Sequence, residues 1–383
     1  MNGASDKITF LQVFTILALM NGLATHVICN PMLLQASGRD AWVTVLVGGA
    51  CLLLFSPALV WISRRSGRQK WQPWLARQTH PAVSWAMMVP ICLQLYLIGA
   101  MTVIHTVSFN ITNYLPGSSK LSLVLPLIFI CCMLAWWGIR VIAIAAGVLL
   151  PIVIGLGIFV ATSNTDRKDL KLLTPVLEHG WGPVMNGFVY IGGGLIEVIV
   201  LLLLQHRLKS KLKTWQLLLY SGFTIGIALG PIVGALAEFG PTEAAKQMIS
   251  PYEQWRLVEI GQYVEHLDFF SIFQWMSGAC VRISLAVFTL AEIVSLRAGR
   301  GRGWLILGVM ASFVVLSMIP NNDYSFYLMM YRYYVPISFY TLLGLFVLWT
   351  LIALIAKPSQ EGTSCERTPR SGATETSGGR SKG

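Results

Sequence analysis

GFVYIGGGLIEVIVLLLL, residues 187–204, sets three successive glycines and one carboxylate, Glu197, inside an otherwise apolar run. Glycine loosens a helix, and an ionisable group at bilayer depth costs about 3 kcal/mol on insertion scales unless it is paired. The two features together predict a membrane helix interrupted near the bilayer midplane. That is where transporter-like folds bind small ligands.

Composition agrees with a membrane setting. The 383 residues are 55% hydrophobic and 12% charged, about half the charge of a soluble domain. Hydropathy predicts ten spans, over 9–35, 41–63, 82–113, 121–138, 141–161, 184–206, 215–236, 268–296, 303–320 and 334–356. The apolar runs are continuous rather than alternating, so the spans are helices and not barrel strands. One membrane domain fills residues 1–356. Residues 357–383 are rich in Ser, Thr, Gly, Glu and Arg and predict a disordered tail.

The net charge of +11 is distributed in a way that excludes nucleic-acid binding as its purpose. With a cytoplasmic N-terminus, 19 Lys and Arg residues fall on the inner side and 8 on the outer, with Arg282 inside a span. This asymmetry sets topology and predicts both termini in the cytoplasm. The inner loops RRSGRQK (64–70), HRLKSKLK (206–213) and RAGRGR (297–302) are also suited to anionic membrane lipids. Six of the seven cysteines lie in spans without metal spacing, and Cys365 lies in the tail, so all read as free thiols. Met1–Lys7 is too short and polar for a signal peptide, and span 1 is expected to serve as its own insertion signal.

Two interrupted helices occupy matching places. Span 1 carries Asn21-Gly22, then Thr25 and His26, and span 6 carries Gly192-Gly193-Gly194 and Glu197. Corresponding interruptions five spans apart predict two inverted halves meeting at a ligand site. Opened helix turns there would offer N–H groups to a ligand carboxylate and carbonyls to its ammonium. Close helix packing is the competing use of such glycines. Glu197 has three possible partners: a ligand amine, a proton, or Arg282, the basic residue placed well within a span. Gln274, Gly278 and Arg282 recur every four residues and share a face of span 8 that is expected to look into the bundle.

Tyr96 and Tyr190 can offer hydroxyls, while His26 and His105 are expected to be hydrogen-bonded structure. Glu292, near the inner end of span 8, is placed to reach headgroups. The outer segment 237–267, with Tyr252, Trp255, Val258 and Tyr263, predicts an amphipathic helix lying on the surface. Phosphate-loop, zinc-protease and serine-elbow motifs are missing from the sequence, so no enzyme activity, cofactor or metal is expected.

Two segments carry a family resemblance. One runs from KITFLQVF (7–14) to SGRDAW (37–42), and the other is SPYEQWRLVEIGQYVEHLDFFSIFQWMSGACVRISL (250–285). With the ten-span layout they resemble the B subunit of spore germinant receptors, a branch of the amino acid–polyamine–organocation transporter superfamily. The likeness covers the whole membrane domain. It implies a LeuT-type five-plus-five inverted repeat in the inner membrane of spores. It also implies nutrient sensing, usually of amino acids, in a complex with an A subunit and a lipoprotein C subunit. The ligand site it implies lies at broken helices 1 and 6, lined by helices 3 and 8. On this chain that maps to Asn21, Gly22, Thr25, Tyr96, Gly192, Gly193, Gly194, Glu197, Trp275 and Gly278. Two positions depart from the family pattern: His266, where a basic residue usually follows the motif's glutamate, and Arg282, where lysine is common. In related transporters a cation at that place in helix 8 stands in for a coupling sodium. The resulting expectation is an all-α polytopic subunit that binds a small amino acid-like germinant and signals to its partners. A proton- or ion-coupled amino acid transporter is the alternative.

Overall fold

The computed structural model describes residues 7–259, 267–294, 300–320 and 322–356. Tyr263, His266, Cys365 and the tail at 357–383 lie outside the described residues. In hydrocarbon each backbone polar group must be satisfied within the chain, and helices do so locally. Among the described residues nine helical stretches are long and apolar enough to cross a membrane. The first, Phe10–Arg65, runs for 56 residues, about 84 Å if straight and far beyond a core of about 30 Å. It turns at Gly38, whose φ of 54° suits glycine, through a 3-10 turn at Gly38–Asp40. Spans 1 (10–37) and 2 (Ala41–Arg65) result, so the described chain crosses ten times.

The later spans are 3 (Pro81–Asn113), 4 (Lys120–Trp137), 5 (Ile139–Ser163), 6 (Gly182–Arg207), 7 (Thr214–Ala244), 8 (Phe269–Val294), 9 (Gly301–Met318) and 10 (Asp323–Ile355). Spans 6 and 8 are the centre of the bundle: 83% and 78% of their most apolar windows are buried, against 22% in spans 5 and 9. Glu197 and Arg282 therefore sit on the two helices farthest from lipid.

The interruptions take the form of changes in helical pitch. Span 1 is π-helical over Leu23–Ile28, directly after Asn21-Gly22. Span 6 tightens to a 3-10 helix over Ile196–Ile199, one residue beyond the glycine triple. The triple itself stays α-helical because each glycine is a contact point. A Cβ at Gly192 would stand 2.6 Å from the Phe339 ring, at Gly193 2.7 Å from Val335 Cγ1, and at Gly194 2.8 Å from Thr25 Cγ2. Close packing is thus what these glycines serve in the folded bundle.

The two long connections pack together on the face opposite the N-terminal segment. Asp169 N–H donates to the Ala237 carbonyl, and Asn164 Nδ2 to that of Gln254. Within 237–259 the structure corrects the expected surface helix. Ser250–Arg256 is a short helix whose Tyr252 and Trp255 are buried, as is Val258 just beyond it, so this segment docks into the bundle. Its apolar side meets spans 5 and 8 because Leu156, Phe159, Val160 and Phe270 offer an apolar seat there.

Candidate functional site

Span 1 enters the bundle centre with Thr25 one turn after Asn21, and Thr25 Oγ1 donates to the Asn21 carbonyl at 2.9 Å. Gly194 lies against Thr25, so spans 1 and 6 approach closely where both change pitch. Arg282 reaches the same place from span 8. Its Nη1 and Nη2 donate to the two oxygens of Glu197 at 2.5 and 2.6 Å. Nη1 also donates to the Met20 carbonyl at 3.0 Å, and Nε to Thr102 Oγ1 at 3.1 Å. The phenol of Tyr334, from the π-turn of span 10, is within electrostatic reach of the pair.

Only 2% of the Arg282 side chain and 4% of the Glu197 side chain is exposed, so the pair is dry. A planar guanidinium matches a carboxylate in this fork geometry, and each charge is tolerated only because of the other. One guanidinium therefore ties together spans 1, 3, 6 and 8. Thr102 and the Met20 carbonyl were not candidates from sequence. A lone threonine and a backbone oxygen carry no pattern that marks them.

Asn21 is fully buried, and neither amide atom makes a hydrogen bond of good geometry among the described residues. Other expected site residues lie elsewhere. Gly192 and Gly193 face span 10. Tyr96 shares a hydrogen bond with Ser312 Oγ at 2.9 Å and packs on Phe313, which engages it with span 9 rather than with the ion pair. Gly22, Trp275 and Gly278 line a separate cavity of about 320 Å³ between spans 1, 5, 7 and 8. Trp275 stacks on Phe109 at 4.1 Å and donates to Thr106 Oγ1. Gln274 and Arg282 both point inward, as expected, but to different partners: Gln274 bonds the Val153 carbonyl and the Trp255 indole.

A second ion pair joins the same two helices near the N-terminal side of the bundle. Arg207 at the end of span 6 grips Glu292 of span 8, its Nε donating to Oε1 at 2.8 Å, and His206 Nε2 adds a contact at 3.1 Å. This corrects the expectation that Glu292 reaches headgroups, for its side chain is 9% exposed. The N-terminal segment is fastened beside it: Ile8 N–H donates to the Arg207 carbonyl at 2.8 Å, and Lys209 N–H to that of Ile8 at 2.9 Å.

Helical stretches long and apolar enough to cross a membrane, gathered around a buried central ion pair, make this a multi-pass membrane protein. The sequence matches the family described as "Spore germination protein" over residues 7–326, and the chain belongs to that family. It is similar to Spore germination protein XB of Bacillus anthracis, with 35% identity over 348 residues. That alignment spans 91% of this chain and 97% of the relative, so the likeness is one of whole proteins and not of a shared motif.

Proposed function

We propose that this chain is the nutrient-sensing membrane subunit of a spore germination receptor, binding a small amino acid-like germinant where spans 1 and 6 meet. The observation that carries this reading is the Glu197–Arg282 pair, set against the pitch changes of both helices. A zwitterion brings both charges needed to replace it. Its ammonium takes Glu197 and its carboxylate takes Arg282, so two ion pairs stand where one stood. Parting the pair without such a replacement leaves a buried charge uncompensated, at about 3–5 kcal/mol. Ligand binding would therefore favour a state in which spans 6 and 8 separate at the centre, as a population shift requires.

In this reading the ten spans form two inverted five-span halves in the spore's inner membrane, with both termini cytoplasmic. The shift passes to an A-type subunit and a lipoprotein C subunit, with no cofactor and no catalytic step. The test is deletion of the gene, followed by a survey of which nutrients still trigger germination. Loss of the response to one amino acid class, restored by the wild-type gene but not by Glu197→Gln, is the expected result. An unchanged germination spectrum sinks the reading. Concentrative uptake of a labelled amino acid by this subunit alone in vesicles would turn it into the transporter alternative.

A further inference from the structure

The cavity between spans 1, 5, 7 and 8 is lined by none of the residues that hold the Glu197–Arg282 pair. Its deep end is formed by Gly22 and His26 of span 1 with Trp275 and Gly278 of span 8. Its rim includes Ile158 and Ala161 of span 5 and Gly226 and Gly230 of span 7, all of them exposed. These residues lie within membrane-crossing helices, so the rim opens sideways toward hydrocarbon.

The glycines show that the space is held open. Small residues four apart in a span ordinarily let two helices close on one another. At Gly278 that is what happens, since a Cβ there would meet Leu23 Cβ at 3.2 Å. At Gly226 and Gly230 a Cβ would meet nothing within 4 Å. These two positions do not make a helix contact; they keep a wall flat beside a void.

The polar groups on the lining are nearly all engaged within the protein. Gln254 Nε2 donates to the Pro231 carbonyl at 2.9 Å, Gln274 is bonded at both ends, and Lys168 Nζ donates to the Ala161 carbonyl at 2.6 Å. His26 is the exception. Its Nδ1 faces the Ile227 carbonyl at 3.4 Å. A carbonyl only accepts, so in the tautomer that makes this contact Nδ1 carries the proton and Nε2 offers a lone pair to the cavity. A zwitterion finds no free opposite charges here. A bare acyl chain would leave that lone pair unsatisfied at membrane depth. The volume is at the lower end of the range for ligand pockets, about 300–1,000 Å³.

We propose that this cavity is a second binding site, entered from the bilayer, for a small neutral apolar molecule with one hydrogen-bond donor, which it offers to His26. An aromatic or branched alcohol fits this description. The inference goes beyond the sensing role and does not depend on it. Because His26 belongs to the π-turn of span 1, an occupant would touch the interruption that also borders the ion pair.

The probe is a diazirine-bearing benzyl alcohol, photolysed with the purified full chain in detergent micelles and mapped by mass spectrometry. Its methyl ether, which lacks the donor, serves as the control. Adducts should concentrate on spans 5 and 7 along the cavity and fall sharply in Gly230→Leu, which fills it. The alcohol should label this site more than the ether by roughly threefold to tenfold, the worth of one neutral hydrogen bond. His26→Phe should erase that ratio while leaving the ether's labelling in place. If Gly230→Leu does not fold, Ile158→Trp closes the rim from the opposite wall. Labelling spread evenly over the lipid-facing surface overturns the proposal. So does equal labelling by alcohol and ether in the wild type, which would make the cavity a slot for lipid chains only.

Discussion

Arg207 is bonded to Glu292 across 85 residues of sequence, the same separation that joins Glu197 to Arg282, with the charges exchanged between the two helices. Equal offsets mean that spans 6 and 8 run parallel and in one register over the ten residues between the rungs. A slip of either helix by one turn would break both pairs at once. The rung at the N-terminal side is also where Ile8 is strapped to Arg207 and Lys209. A separation of the central pair can therefore be transmitted along span 6 to the N-terminal segment, or be stopped there by the second pair.

Glu292→Gln keeps the shape of the outer rung and removes the carboxylate charge that Arg207 and His206 contact. The expected loss is about 1.5–3 kcal/mol, the range for hydrogen bonds to charged groups. Thermal unfolding of the purified protein in detergent measures it. The exchanged pair, Arg207→Glu with Glu292→Arg, should recover at least half of the loss. Unaltered stability in Glu292→Gln would mean that the second rung ties nothing down.

The central pair should behave differently. Glu197→Gln strands the Arg282 guanidinium, and Arg282→Met strands the Glu197 carboxylate, each at a cost of about 3–5 kcal/mol. With both changes no buried charge remains. The double variant should fall short of the sum of the singles by about 2 kcal/mol or more, since the residues form one network. Additive losses would show that the two charges do not depend on each other.

These two pairs also mark how far the sequence was readable. Apolar runs of span length specify helices whatever their packing, so hydropathy located the nine helical stretches of the described residues, the first of them divided at Gly38 into spans 1 and 2. Arg282 is legible as a partner of Glu197 because it is the basic residue set well inside a span. Glu292 and Arg207 were not paired. Each lies near a helix end, where a charge has headgroups or water as an alternative partner. A signal was present in the spacing, because Glu197 precedes Arg207 by the same ten residues as Arg282 precedes Glu292. Such a match gains meaning only when the helices are known to be neighbours. The glycine triple reads two ways in the sequence, as a loosened helix or as close packing: span 6 does change pitch beside it, while Phe339, Val335 and Thr25 occupy the space its missing side chains leave.

That occupation gives a sharp test at Gly194. A methyl at this position would lie 2.8 Å from Thr25 Cγ2, so Gly194→Ala overpacks the contact between spans 1 and 6. Overpacking of this kind costs about 1–3 kcal/mol. Thr25→Ser removes Cγ2 but keeps the hydroxyl that donates to the Asn21 carbonyl. In the Gly194→Ala background, Thr25→Ser should restore most of the lost thermal stability. Failure to do so would mean that the clash is relieved by span 1 moving as a whole.

Asn21 separates stability from function. It is fully buried, and neither amide atom makes a hydrogen bond of good geometry among the described residues; the Tyr220 phenol beside it donates to the Leu17 carbonyl at 3.4 Å. A buried amide left unbonded costs about 1–3 kcal/mol, while an apolar group of similar shape incurs no such penalty. Asn21→Leu should therefore leave thermal stability unchanged or raise it. If the amide is kept for a germinant that reaches the helix interruption two residues on, the same change should abolish the nutrient response in spores. Residues retained at a cost to the fold are those expected at working sites. A variant that germinates normally would reduce Asn21 to an unexplained polar group in the core. One that loses stability by as much as Glu197→Gln would show that its amide is satisfied within the fold after all.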